Sequence, residues 1–328
     1  MNLKISIVIP TYNRVTELIE VFESILNQTK KPFEVVIVDD SDTDAIEEIV
    51  DKWKNVFLNK VIQTKYIRNT RGKSLTKARN IGIENVSGDI LLFLDDDVIL
   101  ENDYIDRLTD IYSRIPSAIG VQGLITNYEK TPKKRLLFNK IFLIGYFGKN
   151  DCKVLPSTNV TYSCEPDKII SCQWMSGANQ SYRCAIFDEF QYDENLVRYS
   201  YKEDVDFSYR IFKKYPNSLY ITPYARLEHK ASDIARLPNQ KRITMEYVYS
   251  FYFFYKNFNP SLTNKILFFW SWVGYIIVAT PVAVIKKILG SDDMFLRISY
   301  SIRALGLCLS NLQKIKFGDL EFFNKKIR

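Results

Sequence analysis

A single histidine stands in the 328 residues, so any imidazole chemistry, as a base or as a metal ligand, rests on His229 alone. Cysteine is scarce too. There are five, an odd number with no CxxC pair, which argues against structural zinc and a disulfide framework and fits a reducing compartment. The sequons at Asn159 and Asn179 read as chance matches in such a setting. No GxGxxG follows a strand-like run, which excludes the dinucleotide fingerprint, and no GxxxxGK[ST] occurs, which excludes a phosphate-cradling glycine loop. Phosphate handling is left to side chains and metal. No long apolar run follows Met1-Asn-Leu-Lys, so no signal peptide is expected and a catalytic part is placed in the cytoplasm.

Apolar residues make up 46% of the chain and charged ones 25%, proportions of an ordinary folded protein that set disorder aside. Residues 1–229 carry 30 basic and 32 acidic side chains, whereas 230–328 carry 15 and 6, so the basic excess lies in the last third. A basic tail suits nucleic acid or an anionic membrane, and the apolar content of that tail decides for membrane and against nucleic acid. Residues 266–285 hold no formal charge, about a bilayer's hydrocarbon thickness, between Lys265 and Lys286-Lys287. Trp270, Trp272 and Tyr275 are of the type that favours headgroup depth. The competing reading is a core helix, since Gly274 and Pro281 interrupt the run. A second apolar stretch, 295–312, carries Arg297 and Arg303, and reads as the return leg of a hairpin or a helix lying in the interface. The flanking charges leave the topology open.

Taken in order, Ile5 to Pro10 is a short apolar run, followed by a helical pattern over 16–27. Residues 33–38 form a second strand pattern and 44–53 a helix; 61–67 alternate as a third strand, and a helix over 74–85 leads into Asp89-Ile-Leu-Leu-Phe-Leu-Asp95-Asp96-Asp97. Strands interleaved with helices imply right-handed crossovers and a mostly parallel, doubly wound sheet whose carboxyl ends bind ligands. The polar clusters fall at those ends. Alternation along the strand puts Asp95 and Asp97 on one side, about 7 Å apart, and Asp96 on the other. Carboxylates so spaced suit Mg²⁺ or Mn²⁺; the plain alternative is a solvated acidic turn. Asp39 or Asp40 accepts a hydrogen bond from a base or ribose, or else Asp40 and Ser41 cap a helix. Residues 130–147, basic and then apolar, read as an acceptor-side or membrane-touching loop, with a loop core as the plainer expectation.

The order Ile-Pro-Thr-Tyr-Asn-Arg14, Val-Asp-Asp-Ser41, Gly72 followed by Ala-Arg-Asn-Ile-Gly82, and Phe-Leu-Asp-Asp-Asp97 resembles the nucleotide-sugar half of inverting family 2 glycosyltransferases with the GT-A fold. The resemblance implies that Pro10, Thr11 and Asn13 shape the nucleotide pocket together with Arg14 and Asp40, that Asp39 reads the base, and that Arg79 lies near the diphosphate. It further implies that Asp95 faces the ribose or base and shares the metal with Asp97, with Asp96 as support. Trp174-Met-Ser-Gly177-Ala178-Asn179 supplies small residues for close approach of the backbone to a sugar on the acceptor side. The family places a Glu-Asp pair before a helix beginning Asp-x-x-x-Arg, here Glu203-Asp204 and Asp206 to Arg210. Asp204, with Glu203, is the catalytic candidate, as the general base an acceptor hydroxyl needs; helix capping is the other reading of that pair. His229 sits where family members carry a histidine near metal and diphosphate, although a lone histidine is often structural. Processive synthases of the family carry QxxRW, which Gln240-Lys-Arg-Ile243 does not match, so transfer of one sugar is implied.

The expectation is therefore an α/β chain with a GT-A domain over 1–240, nucleotide-sugar half 1–125 and acceptor half 126–240, and a C-terminal helical, membrane-associated region over 241–328. Its activity is Mg²⁺- or Mn²⁺-dependent transfer from a nucleoside-diphosphate sugar, UDP ahead of GDP or TDP, to a lipid-linked or cell-surface glycan acceptor at the cytoplasmic face of a membrane. Two rivals are a sugar nucleotidyltransferase, which would need a glycine-rich loop where Pro10 to Arg14 has none, and an inactive membrane scaffold, against which the complete set of carboxylates counts.

Overall fold

The apolar runs of the first hundred residues become β1 (Ile5–Thr11), β2 (Glu34–Asp39), β3 (Gln63–Arg68) and β4 (Ile90–Phe93), joined by helices α1 (Val15–Leu26), α2 (Ala45–Leu58) and α3 (Leu75–Glu84). These come from a computed structural model that describes residues 3–232, 237–289 and 291–327. The four strands pair in parallel in the order β3-β2-β1-β4. β1, β2 and β4 are buried at every position, as strands covered on both faces must be, while β3, carrying Gln63, Lys65 and Arg68, forms the partly solvated edge. α2 outlasts its expected end at Trp53 because Phe57 is buried against Phe22, ring centroids 5.2 Å apart and edge to face.

After β5 (Val98–Leu100), α4 (Tyr104–Arg114) and β6 (Gly120–Ile125) the chain leaves the sheet. It makes α5 (Lys133–Ile141), where a loop was expected, then a two-stranded ribbon of β7 (Tyr146–Gly148) and β8 (Thr161–Ser163), and touches the sheet again at β9 (Ile170–Ser171). β10 (Gln180–Arg183) returns antiparallel between β4 and β6, and α6 (Glu203–Lys214) leads to β11 (Leu219–His229), parallel to β6 and antiparallel to β5. The principal order is β3-β2-β1-β4-β10-β6-β11-β5. The α/β expectation holds, parallel through β4 and mixed beyond it, because β10 is reached by a long excursion rather than a helical crossover. This topology positions the site. β1, β4, β6 and β11 run the same way, so the residues after β4, the approach to β10 and the end of β11 meet at one edge.

A second apolar core is built by α7 (Asn239–Asn257), α8 (Leu262–Ile288), α9 (Asp293–Ser310), α10 (Leu312–Lys316) and α11 (Glu321–Asn324), together with Leu196 and Val197. α7 is fastened to α6 through Asp206, which takes Lys256 Nζ at 2.8 Å and Asn257 Nδ2 at 2.7 Å besides its own i, i+4 partner Arg210 at 2.9 Å. The uncharged run 266–285 lies inside α8, whose N-cap Ser261 accepts the amide of Asn264. Among the described residues α8 alone is long and apolar enough to cross a bilayer. The stretch 295–312 falls mostly on α9, which buries Ser301, Ala304 and Cys308. Trp272 rests on Tyr247 of α7 and Trp270 on Phe142, so both are held by protein contacts.

Candidate active site

β4 stops at Phe93, and Asp95, Asp96 and Asp97 sit on the turn that follows. The turn sorts them as alternation would. Asp96 points back to β1, accepting Thr11 Oγ1 and Arg14 Nη1, both at 2.8 Å. Asp95 and Asp97 face His229 at the end of β11, and one ligand atom from each of the three lies within 4.8 Å of the others. Arg14 also reaches Asp97 Oδ2 at 3.2 Å, and the Ser232 amide donates to the same oxygen at 2.9 Å. Asp97 Oδ1 is buried, 3.1 Å from His229 Nε2, with no donor aligned on it among the described residues. Burial pushes Asp97 up, but His229, Arg14 and the Ser232 amide outweigh it and hold the carboxyl below its usual range. The ring responds in the opposite sense: burial disfavours its charge, yet Asp97 and Asp95 hold His229 above its ordinary value. On the far side of the ring, the Tyr128 hydroxyl lies 3.2 Å from Nδ1.

The second cluster begins at α3. Arg79, 1% exposed, reaches Glu203 Oε1 with Nη1 at 2.8 Å, the carbonyl of Gly177 with Nη2 at 3.2 Å, and Asp95 Oδ1 at 3.6 Å. One guanidinium thus ties Asp95 of the acidic turn, the approach to β10 and the first turn of α6. A Cβ added at Gly177 would sit 2.5 Å from Arg79 Nη2, so the small residue expected there is needed for packing against arginine. Asp204 is fixed by backbone: its Oδ2 accepts the Gly177 amide at 2.9 Å and its Oδ1 the Val205 amide at 2.7 Å. Burial raises the Asp204 pKa against the pull of those amides and of Arg79. Helix α6 starts from Lys202 in the left-handed region, φ 68°. The Lys202 ammonium is buried against Thr158, Oγ1 at 3.1 Å, and burial pushes its pKa down to about 7.

A cavity of about 950 Å³ joins the two clusters. Of the residues singled out from sequence, Pro10, Thr11, Arg14, Asp40, Arg79, Asp95, Asp96, Asp97, Trp174, Gly177, Ala178, Glu203, Asp204 and His229 line it. Three do not. Asp39 is fully buried and spends its carboxylate on the Ser41 amide at 2.8 Å, Tyr66 Oη at 2.8 Å and Arg68 at 3.2 Å, whereas its neighbour Asp40 lines the cavity. Burial raises Asp40 to about 6. Asn13, at positive φ, stitches the β1–α1 turn to Ser41 and Asp42. Asn179 is buried and donates to the Gly123 carbonyl at 2.9 Å. Sequence reading missed Tyr128 and Lys202 as cavity residues, whereas α5, inside the stretch 130–147 that reads as a candidate acceptor-side loop, does line the cavity through Arg135 and Asn139. Of the two missed residues, Lys202, adjacent to the Glu-Asp pair, carried a signal, while Tyr128 reaches the cavity at the start of the excursion between β6 and β10.

A carboxyl-end cavity on a half-parallel sheet, with an acidic turn after β4 and a carboxylate on the helix facing it, is the architecture of GT-A transferases. A solved structure of GalNAc-T7 with UDP, GalNAc and Mn²⁺ superposes with a TM-score of 0.54 at 20% identity, over 83% of this chain and 55% of that one. Residues 6–169 match Glycosyl transferase family 2, and the chain belongs to that family. An uncharacterized glycosyltransferase of Rickettsia felis is 40% identical over 105 residues, 31% of this chain, which spans only 16% of that protein's length. A glucosyl-dolichyl phosphate glucuronosyltransferase of Haloferax volcanii is 26% identical over 237 residues, 70% of this chain and 69% of that protein.

Proposed function

We propose that the chain moves one sugar from a nucleoside-diphosphate sugar, UDP ahead of GDP or TDP, to a hydroxyl of a lipid-linked or cell-surface glycan acceptor, with inversion, at the cytoplasmic face of a membrane. The observation that carries this reading is the single cavity lined on one side by Asp95, Asp97 and His229 and on the other by Asp204. Family membership supports the reaction class. The Haloferax relative's lipid-phosphate name and the apolar helix α8 favour a lipid-linked acceptor.

The Asp95, Asp97 and His229 set fits Mg²⁺ or Mn²⁺: two hard oxygens, one imidazole, and a buried Asp97 Oδ1 on which no donor is aligned among the described residues. A divalent ion held there would supply positive charge against the nucleoside diphosphate as it leaves. The Asp204 carboxylate takes the proton of the acceptor hydroxyl while that oxygen bonds to the anomeric carbon and the bond to the phosphate oxygen breaks; one displacement gives inversion. Gly177 and Val205 amides aim Asp204 into the cavity. Glu203, committed to Arg79, supports that arrangement as a positioning residue.

A panel of UDP-, GDP- and TDP-sugars, with and without Mn²⁺, assayed against native membrane lipid extract, tests the reading. Transfer from one donor, dependent on the ion, is expected. Failure to bind any nucleotide sugar would leave the scaffold, and release of nucleotide sugar from a nucleoside triphosphate and sugar phosphate would establish the nucleotidyltransferase.

A further inference from the structure

Helix α5 exposes Leu137 and Ile141, one turn apart, at 65% and 55% of their surface. Lys133, Lys134, Arg135 and Lys140 are exposed beside them. If that face of α5 met protein it would bury those two apolar side chains, and if it met water it would carry polar groups there. Bulky apolar side chains at i and i+4 ringed by cations are the pattern of a helix lying in a headgroup layer. Neighbouring acids do not neutralise it: Glu165 is taken by Lys130 and Asp167 by Lys149, and Lys133, Lys134 and Arg135 have no carboxylate partner among the described residues.

The seat of α5 is on α8. Trp270 Nε1 donates to the Ile141 carbonyl at 2.8 Å, Phe142 stacks on the same indole at 4.9 Å, and a Cβ at Gly274 would fall 2.3 Å from Phe142, so the glycine is what lets the two segments meet. Beyond Gly274, α8 buries only Ala279 and Ala283 and exposes Ile276, Ile277, Val282, Val284 and Ile288 around its circumference. The same short α5 also forms part of the cavity wall, through Arg135 and Asn139.

We infer that α5 docks on an anionic lipid bilayer, with Leu137 and Ile141 at the boundary of headgroups and acyl chains and Lys133, Lys134 and Lys140 at lipid phosphates. The wall formed by Arg135 and Asn139 then opens at headgroup level, where an acceptor carried on a lipid presents its hydroxyl. The inference rests on the membrane-associated reading of α8.

Of the native cysteines, Cys152, Cys164, Cys172 and Cys308 are buried and Cys184 is half-buried, so an exposed cysteine can be labelled selectively. Leu137→Cys, Val282→Cys on α8 and Leu58→Cys, at the end of the sheet away from the cavity, would each carry a polarity-sensitive fluorophore. The full chain is reconstituted in phosphatidylglycerol–phosphatidylcholine vesicles, with nitroxide-labelled lipid as quencher. Labels at 137 and 282 should shift to the blue and be quenched, and the label at 58 should keep its emission in water. Adding Lys133→Glu and Lys134→Glu should abolish the shift at 137 and leave 282 unchanged. Quenching at 282 with water-like emission at 137 overturns docking by α5 and spares the reading of α8; water-like emission at both overturns the two together. A shift at 137 that survives the lysine reversals overturns recognition of anionic lipid.

Discussion

Arg79 Nη1 lies 2.8 Å from Glu203 Oε1 with both side chains buried, joining α3, the helix after β3, to the helix that carries Asp204. Removing one member of such a pair strands the other charge. Arg79→Ala should therefore destabilise the fold by about 3–5 kcal/mol. Arg79→Lys should recover only part of this, because an ammonium cannot reach Glu203, Gly177 and Asp95 as a fork does. Urea midpoints of the three proteins in one detergent decide it; an unshifted midpoint for Arg79→Ala refutes the linchpin role.

Gly177→Ala probes the same junction from the other side. The added methyl would press on Arg79 Nη2, which is held by its ion pair and cannot swing out. Overpacking of this kind costs about 1–3 kcal/mol. The larger effect should fall on turnover, on the order of 10²-fold, since the Gly177 amide aims Asp204. A full-speed variant would show that Asp204 does not depend on that amide.

The sheet as far as β4 was legible because β1, β2 and β4 are continuous apolar runs, the edge strand β3 alternates, and the helices between them carry a three- and four-residue pattern. The acidic turn, the Glu-Asp pair and the lone histidine were legible as residue types in order. What could not be read was closure. Arg79 carries no mark in sequence that it contacts Glu203, 124 positions away. Asp39 and Asp40 look interchangeable until β3 brings Tyr66 and Arg68 onto Asp39. Residues 130–147 looked like a loop because a helix as short as α5, with exposed leucine and isoleucine, gives no inward face to detect.

Tyr128 is the expected support of the ion. Its hydroxyl, 3.2 Å from His229 Nδ1, fixes the ring so that Nε2 faces Asp97. Loss of such a partner commonly weakens metal affinity about 10–100-fold. Tyr128→Phe should show this in Mn²⁺ titrations followed by electron paramagnetic resonance. Unchanged affinity would reduce Tyr128 to its stacking on Phe147.

Asp204→Asn should lower kcat by about 10²–10⁴-fold, the usual contribution of a positioned base, while binding of the donor stays within error. Asp97→Asn should behave differently, abolishing transfer through loss of the ion. Near-native turnover by Asp204→Asn would remove the base assignment.

Lys202 offers a test by pH. Burial brings its pKa down to about 7 against the pull of Asp204 and Glu246, whereas in the unfolded chain it takes the ordinary value near 10.5. Between those two values the unfolded chain binds a proton that the folded chain does not, so stability, the free energy of unfolding, should rise with pH across that window. The slope has an upper limit of about 1.4 kcal/mol per pH unit for one proton. Below pH 7 both states hold the proton, and the full cost of burying the ammonium is present. Lys202→Met removes the titration, so the difference between the two proteins should grow as pH falls from 10 to 7 and then level off. Urea unfolding in detergent at stepped pH measures it. A difference flat across the window would mean that Lys202 keeps its proton when folded, and that its contacts with Thr158 are those of an ammonium.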